Sequence, residues 1–194
     1  LVAIKKDVLD NLNTQVEASS LKTRSVDCSI TSLYNAFRAN YDEEEPVMLL
    51  DIGAKTTDII FAEDGRFFTR SVTAAGAFIT NSIAREFNMS FREAEQFKIE
   101  EGVVSLGNGY TDAMSEREAA LATTIRTAMS RLSSEVQRTI NHYRAQYKGN
   151  PPTKAYICGG GARLPFALEF LQSALNIPVE YLNPVEVISV GPKV

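Results

Sequence analysis

The chain has 194 residues, 44% of them apolar, and a net charge of −4. That length supports one large domain or two small ones with a real core. The acidic balance and the lack of a basic block exclude nucleic acid as a partner class. Cys28 and Cys158 lie far apart, with neither metal-ligand spacing nor a framework pattern. They read as reduced thiols of a cytosolic protein. No apolar run approaches the ~18 residues of a membrane span, and no signal peptide is visible.

The chain opens on Leu1-Val2-Ala3-Ile4, which reads as a buried strand and as a start inside a larger protein. Lys5 to about Ser19 reads as a helix, with Val8, Leu12 and Val16 four residues apart. Thr23–Ser29 reads as a second strand and Ile30–Asn40 as a second helix carrying Leu33 and Phe37. Asp42-Glu43-Glu44-Glu45-Pro46 is an acidic linker ended by proline.

Val47–Ile52, Thr57–Ala62 and Arg66–Val72 then read as three strands, the last two joined by the hairpin signal Asp64-Gly65. Gly76 opens a helix with Phe78, Ile79, Ile83 and Phe87 on its apolar side. Ser90 and Glu93, and again Ser115 and Glu118, have capping-box spacing. Residues 101–112 read as loop. The second box opens a long helix of about 50 Å, with apolar steps of three and four from Leu121 to Tyr147. A coiled-coil interface or packing against the sheet would each explain that stripe. His142 lies in this helix as a surface or packing residue. After Gly149-Asn150-Pro151-Pro152 come a strand at Ala155–Cys158, a Gly159-Gly160-Gly161 loop, a helix from Leu164 to about Leu175 with Pro165 in its first turn, and a strand at Val179–Leu182.

Met48 to Phe61 holds the densest chemistry. An apolar run ends in Asp51-Ile52-Gly53, a Lys55-Thr56-Thr57 turn follows, and a second apolar run begins. The segment offers a carboxylate for Mg²⁺ or its water shell, a glycine for close backbone approach, and N–H and O–H donors for phosphate. A plain hairpin turn is the competing reading.

Element order suggests duplication. Strand, helix, strand, helix over residues 1–40 parallels the strand, helix and strand that close the chain. Ile4 to Val26 and Ile157 to Val179 are equally spaced, at 22 residues.

Three segments carry a family resemblance. They are Asp51-Ile52-Gly53-x-x-Thr56-Thr57, Glu93-Ala94-Glu95-x-x-Lys98, and Cys158-Gly159-Gly160-Gly161-Ala162-Arg163-Leu164-Pro165, and Ile177-Pro178-Val179-Glu180 closes the series. With them the chain resembles the actin-like ATPase superfamily, and within it the FtsA-related PilM family of type IV pilus assembly. The resemblance implies an α/β, ribonuclease H-like βββαβαβα fold, its second half complete and its first truncated. Residues 1–41 would be the remnant of the first subdomain and 42–46 the linker. Residues 47–75 and 154–194 would form the second core subdomain, and 76–153 its helical insertion and long helix.

The resemblance also implies ATP and Mg²⁺, with Asp51 facing the metal–phosphate group through water. Gly53, Lys55, Thr56 and Thr57 would form a phosphate loop. Glu95 and Lys98, three apart on one helix face, would reach ribose and adenine; a surface ion pair is the alternative. Gly159, Gly160, Gly161 and Arg163 would lie against the nucleotide, with the helix after them presenting its N-terminus; a strand-to-helix turn is the plainer reading of the glycines. No His or Glu is placed as a hydrolytic base, so the expected activity is at most a slow ATPase. The implied partner is the N-terminal cytoplasmic peptide of an inner-membrane PilN-like protein, together with self-association. The implied place is the cytoplasmic side of the inner membrane, without a span. An FtsA-like cell-division filament protein and a sugar or acetate kinase are the alternatives on this fold.

Overall fold

The computed structural model describes residues 3–107 and 114–187. Five strands form one sheet in the order β3-β2-β1-β4-β5: β1 (Val47–Ile52), β2 (Thr57–Glu63), β3 (Arg66–Val72), β4 (Lys154–Cys158) and β5 (Val179–Tyr181). The first three form an antiparallel meander, and β4 and β5 add parallel to β1. The central position of β1 explains its sequence, since a strand covered on both faces reads as a near-continuous apolar run.

Alternation divides the sheet into two faces. Met48, Leu50 and Ile52 join Ile59, Phe61, Ile157 and Val179 in the main core. That face is covered by α3 (Gly76–Glu86), α5 (Glu116–Tyr147) and α6 (Ala167–Leu175), and α4 (Phe91–Glu101) packs on α3. On the other face Val47, Leu49, Ile60, Ala62 and Tyr156 meet Tyr34 and Phe37 of α2 (Ser29–Asn40).

Both capping boxes form. The Ser90 and Ser115 hydroxyls each accept from the backbone N–H three residues on at 3.3 Å, and Glu93 and Glu118 accept in return at 2.8 Å. The stripe of α5 is core: Leu121, Ile125, Leu132, Val136 and Ile140 are all buried. His142 is an exposed residue whose ring lies 6.1 Å from that of Phe68.

Glu63 ties the far end of α5 to the sheet. Its carboxylate accepts from the Tyr143 hydroxyl at 2.8 Å, from the Asn150 backbone N–H at 3.2 Å, and from the Asn150 side chain. Burial would push this carboxyl up, but those hydrogen bonds outweigh it and hold it below its ordinary value, while Tyr143 is pushed up to about 12 by burial and by Glu63. Glu63→Ala is therefore expected to cost about 2–4 kcal/mol in urea unfolding, because the buried Tyr143 hydroxyl and the two Asn150 donors lose a charged acceptor. The sign of the pH effect follows from the lowered pKa. The parent's Glu63 contribution is present above pH 4.5 and is lost as pH falls through the folded pKa.

Three expectations change. Neither Thr23–Ser29 nor the described part of Leu1–Ile4 is a strand, and α1 (Lys6–Ala18) buries no residue. Residues 1 and 2 lie outside the described residues. A strand needs a neighbour to satisfy its backbone, and every strand in the sheet comes from residue 47 onward. The repeat inferred from residues 1–40 therefore has no counterpart in strand structure, and α2 instead covers the sheet that follows it. The last helix begins at Ala167 rather than Leu164. A 3-10 turn spans Gly161–Arg163, and Leu164 is extended at ψ 128°, as the residue before a proline prefers. The expected loop at residues 101–112 is irregular over 102–107, Glu101 still closing α4, and 108–113 lie outside the described residues.

Candidate functional site

Two motif segments meet at the carboxyl end of β1, and the third is linked to it through Gly76. In the hairpin register Asp51 lies opposite Asp58, and in the parallel register opposite Cys158; Asp58 in turn lies opposite Ser71. Ser71, Asp58, Asp51 and Cys158 thus form one polar row across β3, β2, β1 and β4. It continues the face covered by α2, just beyond the apolar residues that α2 packs upon.

Asp51 is half-buried. Burial first, and then the Asp58 carboxylate, push its carboxyl above the ordinary value. Burial and the Asp51 charge push the Cys158 thiol up to about 12, so it stays protonated at neutral pH. Ser71 donates to Asp58. Asp58 was missed in the sequence because its place opposite Asp51 depends on hairpin register, which residues 53–56 set.

The tip is held on two sides. Gly53 N–H donates to the Thr56 carbonyl at 3.0 Å, and the Gly53 and Ala54 carbonyls accept from Gly76 N–H at 3.0 Å and Ala77 N–H at 2.7 Å. The first turn of α3 therefore backs the loop. Ala54, Lys55 and Thr56 are exposed. Thr57 is not part of that open tip: it is fully buried, and its hydroxyl donates to the Ala74 carbonyl at 2.7 Å. It anchors the hairpin, and the loop hydroxyl without a partner among the described residues is that of Thr56.

The glycine turn closes against the same strand end. Gly159 has φ +85°, and a Cβ there would lie 2.4 Å from Asp51 Oδ1. A Cβ on Gly161 would lie 2.4 Å from Ile52 Cγ2. Gly160 is exposed with nothing within 4 Å of such an atom. Arg163 is exposed at the end of the 3-10 turn. Because α6 starts at Ala167, the N–H groups following the glycines belong to the 3-10 turn and not to the N-terminus of α6.

Glu95 and Lys98 form an ion pair at 2.7 Å that is no surface pair, since Lys98 is only 9% exposed. Lys98 Nζ also donates to Thr80 Oγ1 at 2.9 Å and to the Gly76 carbonyl at 3.4 Å. Thr80 donates to Glu95 as well. Burial would raise the Glu95 carboxyl, but the Lys98 and Thr80 hydrogen bonds hold it below its ordinary value. All three Lys98 protons are used inside the protein, so in this conformation the side chain has none to give a ligand.

The residues fit a divalent cation with bound phosphates. Asp51 and Asp58 lie opposite each other on paired strands, and burial first and then the Asp58 charge push Asp51 up, so a cation beside Asp51 would favour its charged form. Bare backbone at Gly160, and Lys55 and Thr56 donors that have no partner among the described residues, lie around the same strand end.

A profile of the family described as Type IV pilus assembly protein PilM matches residues 1–194. The chain is 27% identical over 178 residues to the cell division protein FtsA of Pseudomonas aeruginosa, covering 83% of this chain and 42% of that protein. It is 24% identical over 199 residues to FtsA of Bacillus subtilis, covering 95% and 44%. Among solved structures, a PilM–PilN type IV pilus biogenesis complex matches with a TM-score of 0.77 at 23% identity, over 96% of this chain and 51% of that one. MreB5 of Spiroplasma citri bound to ADP matches with a TM-score of 0.62 at 15% identity, over 96% and 73%. The chain thus has the actin-like fold and spans under half the length of the curated relatives it matches. With the profile running over its whole length, the chain belongs to the PilM family of type IV pilus assembly proteins.

Proposed function

We propose that the chain is the second lobe of an actin-like, nucleotide-binding scaffold that couples ATP binding to an inner-membrane partner during pilus assembly. The observation that carries this is the convergence of three separate segments on one strand end: Asp51 with Gly53–Thr56, Gly159–Gly161, and Glu95–Lys98 through Gly76. Residues 47–75 with 154–194 form the core of this second lobe, 76–153 its helical part, and α2 covers the other face of its sheet, so only the stretch before α2 is left to the first lobe.

Asp51 would hold Mg²⁺ through water, and Gly53, Lys55 and Thr56 would bind phosphate. The cation supplies charge neutralisation for the phosphates. Gly160 offers backbone without a side chain, and Glu95 a carboxylate for ribose hydroxyls. ATP would favour a closed arrangement of the two lobes and so alter partner affinity, which is a population shift. The partner is the N-terminal cytoplasmic peptide of a PilN-like protein, which places the scaffold at the cytoplasmic face of the inner membrane. The similarity to FtsA supports a second reading, a filament-forming protein that self-associates with nucleotide.

The test is calorimetry on the complete protein. Mg-ATP should bind, and a tagged PilN-like peptide should be retained more strongly with Mg-ATP than without. Absence of Mg-ATP binding overturns the reading. ATP-dependent sedimentation of polymer, with no peptide retention, selects the filament.

A further inference from the structure

Thr80 belongs to none of the three motif segments, yet it sits where they are joined. It is fully buried on α3, one turn after Gly76. Its hydroxyl lies 3.0 Å from the Gly76 carbonyl, accepts from Lys98 at 2.9 Å, and donates to Glu95. A hydroxyl has one proton, and here two acceptors compete for it. Lys98 removes the conflict by also donating to the Gly76 carbonyl, which frees the Thr80 proton for Glu95. Gly76 is the residue whose N–H holds the Gly53 carbonyl. An unbroken polar chain therefore runs from Glu95 through Lys98 and Thr80 to Gly76, and on to the loop that follows Asp51.

Glu95 takes both bonds on Oε2, and its side chain is 38% exposed. Oε1 has no hydrogen-bond partner among the described residues and is the atom left for a ligand.

We propose that Thr80, with Lys98, is a positioning residue of the nucleotide site: it fixes Glu95 so that one carboxylate oxygen faces the ribose, and it locks the first turn of α3 behind the phosphate loop. Ribose contact and phosphate-loop order are then coupled through one buried hydroxyl. Lys98 acts from within the protein and does not touch the nucleotide. The inference rests on the nucleotide reading above.

The test uses the complete protein with Thr80→Val, which keeps shape and removes the hydroxyl, and Thr80→Ser, which restores it. Thr80→Val should weaken Mg-ATP at least fivefold in calorimetry, and Thr80→Ser should bind within twofold of the parent. The parent's preference for ATP over 2′-deoxy-ATP should vanish in Thr80→Val. Without nucleotide, amide exchange at Gly76 and Ala77 should quicken in Thr80→Val while distant amides of α5 do not change, which separates a local release from general unfolding. Parent-like ATP affinity in Thr80→Val, with unchanged exchange at Gly76 and Ala77, overturns the proposal. A parent that binds no nucleotide, with exchange still quickened in the variant, overturns the nucleotide reading and leaves only the clasp.

Discussion

Gly159→Ala should destabilise the protein by about 2–5 kcal/mol and abolish Mg-ATP binding, whereas Gly160→Ala should leave stability within about 0.5 kcal/mol of the parent. The two glycines are adjacent and opposite in kind. Gly159 has φ +85°, a conformation that an alanine resists by about 1–2 kcal/mol. Its added Cβ would also meet Asp51 Oδ1 at 2.4 Å, the Ile52 carbonyl oxygen at 2.6 Å and the Ile52 carbonyl carbon at 2.8 Å. Two of those atoms are backbone in the central strand, so they cannot swing aside. The third is the proposed metal-facing carboxylate, so whatever relief occurs displaces the functional group. Gly160 is right-handed helical at φ −65°, ψ −35°, with open space where a side chain would go. Nothing among the described residues requires a glycine there. If Gly160→Ala folds like the parent but binds Mg-ATP at least tenfold more weakly, the requirement comes from a ligand lying on the backbone. Thermal unfolding and calorimetry on the same two variants read both effects. Gly159→Ala with parent stability would contradict the close approach to Asp51.

The same pair illustrates what a sequence can carry. Three glycines in a row announce a turn that must be tight or bare, but only coordinates separate Gly159, required by the fold, from Gly160, which the fold leaves free. The strands from residue 47, the two capping boxes and the long helix were legible because their signals are local: alternation, i to i+3 reciprocity and a 3.6-residue stripe. Asp51 was legible as an acid ending an apolar run. Asp58 and Thr80 were not. Asp58 gains its meaning from cross-strand register, and Thr80 from the packing of α4 on α3, and both relationships span distances that periodicity cannot see. Residues 1–28 failed in the opposite direction. Their apolar spacing promised strands and a packed helix, but Val8 and Leu12 are 51% and 48% exposed. Amphipathic pattern reports that a face can be buried, not that a partner surface is present. The preference for proline early in a helix points to Pro165 as a first-turn residue, while the stronger restriction acts on Leu164 before it, and α6 starts after both.

Asp51→Asn should raise the stability of the ligand-free protein by about 0.5–1 kcal/mol, roughly 1–4 °C in Tm, while weakening Mg-ATP at least tenfold. The opposite signs have one cause. Burial and Asp58 hold the Asp51 carboxyl above its ordinary value, so the charged form is disfavoured in the folded chain. For a raised carboxyl, the folded state binds more protons than the unfolded one between the ordinary value of 3.8 and the folded pKa. Stability therefore falls as pH rises through that window, and at neutral pH the full cost is present. Asparagine keeps the shape and removes the charge, so its stability curve should lack this component. A divalent cation should act on the parent in the same direction as the mutation, by neutralising the paired acids. At a Mg²⁺ concentration ten times the site's Kd, linkage gives a gain of about 1.4 kcal/mol, and Asp51→Asn should gain almost none. Asp58→Asn provides the cross-check: it removes the repelling neighbour, so it too should stabilise the ligand-free chain, but it leaves Asp51 able to hold the cation. A site built only for stability would not keep two carboxylates opposite each other at the end of a buried strand. If Asp51→Asn proves less stable than the parent without Mg²⁺, the repulsion between these acids is not what the geometry indicates, and the fit to a bound cation loses its physical basis.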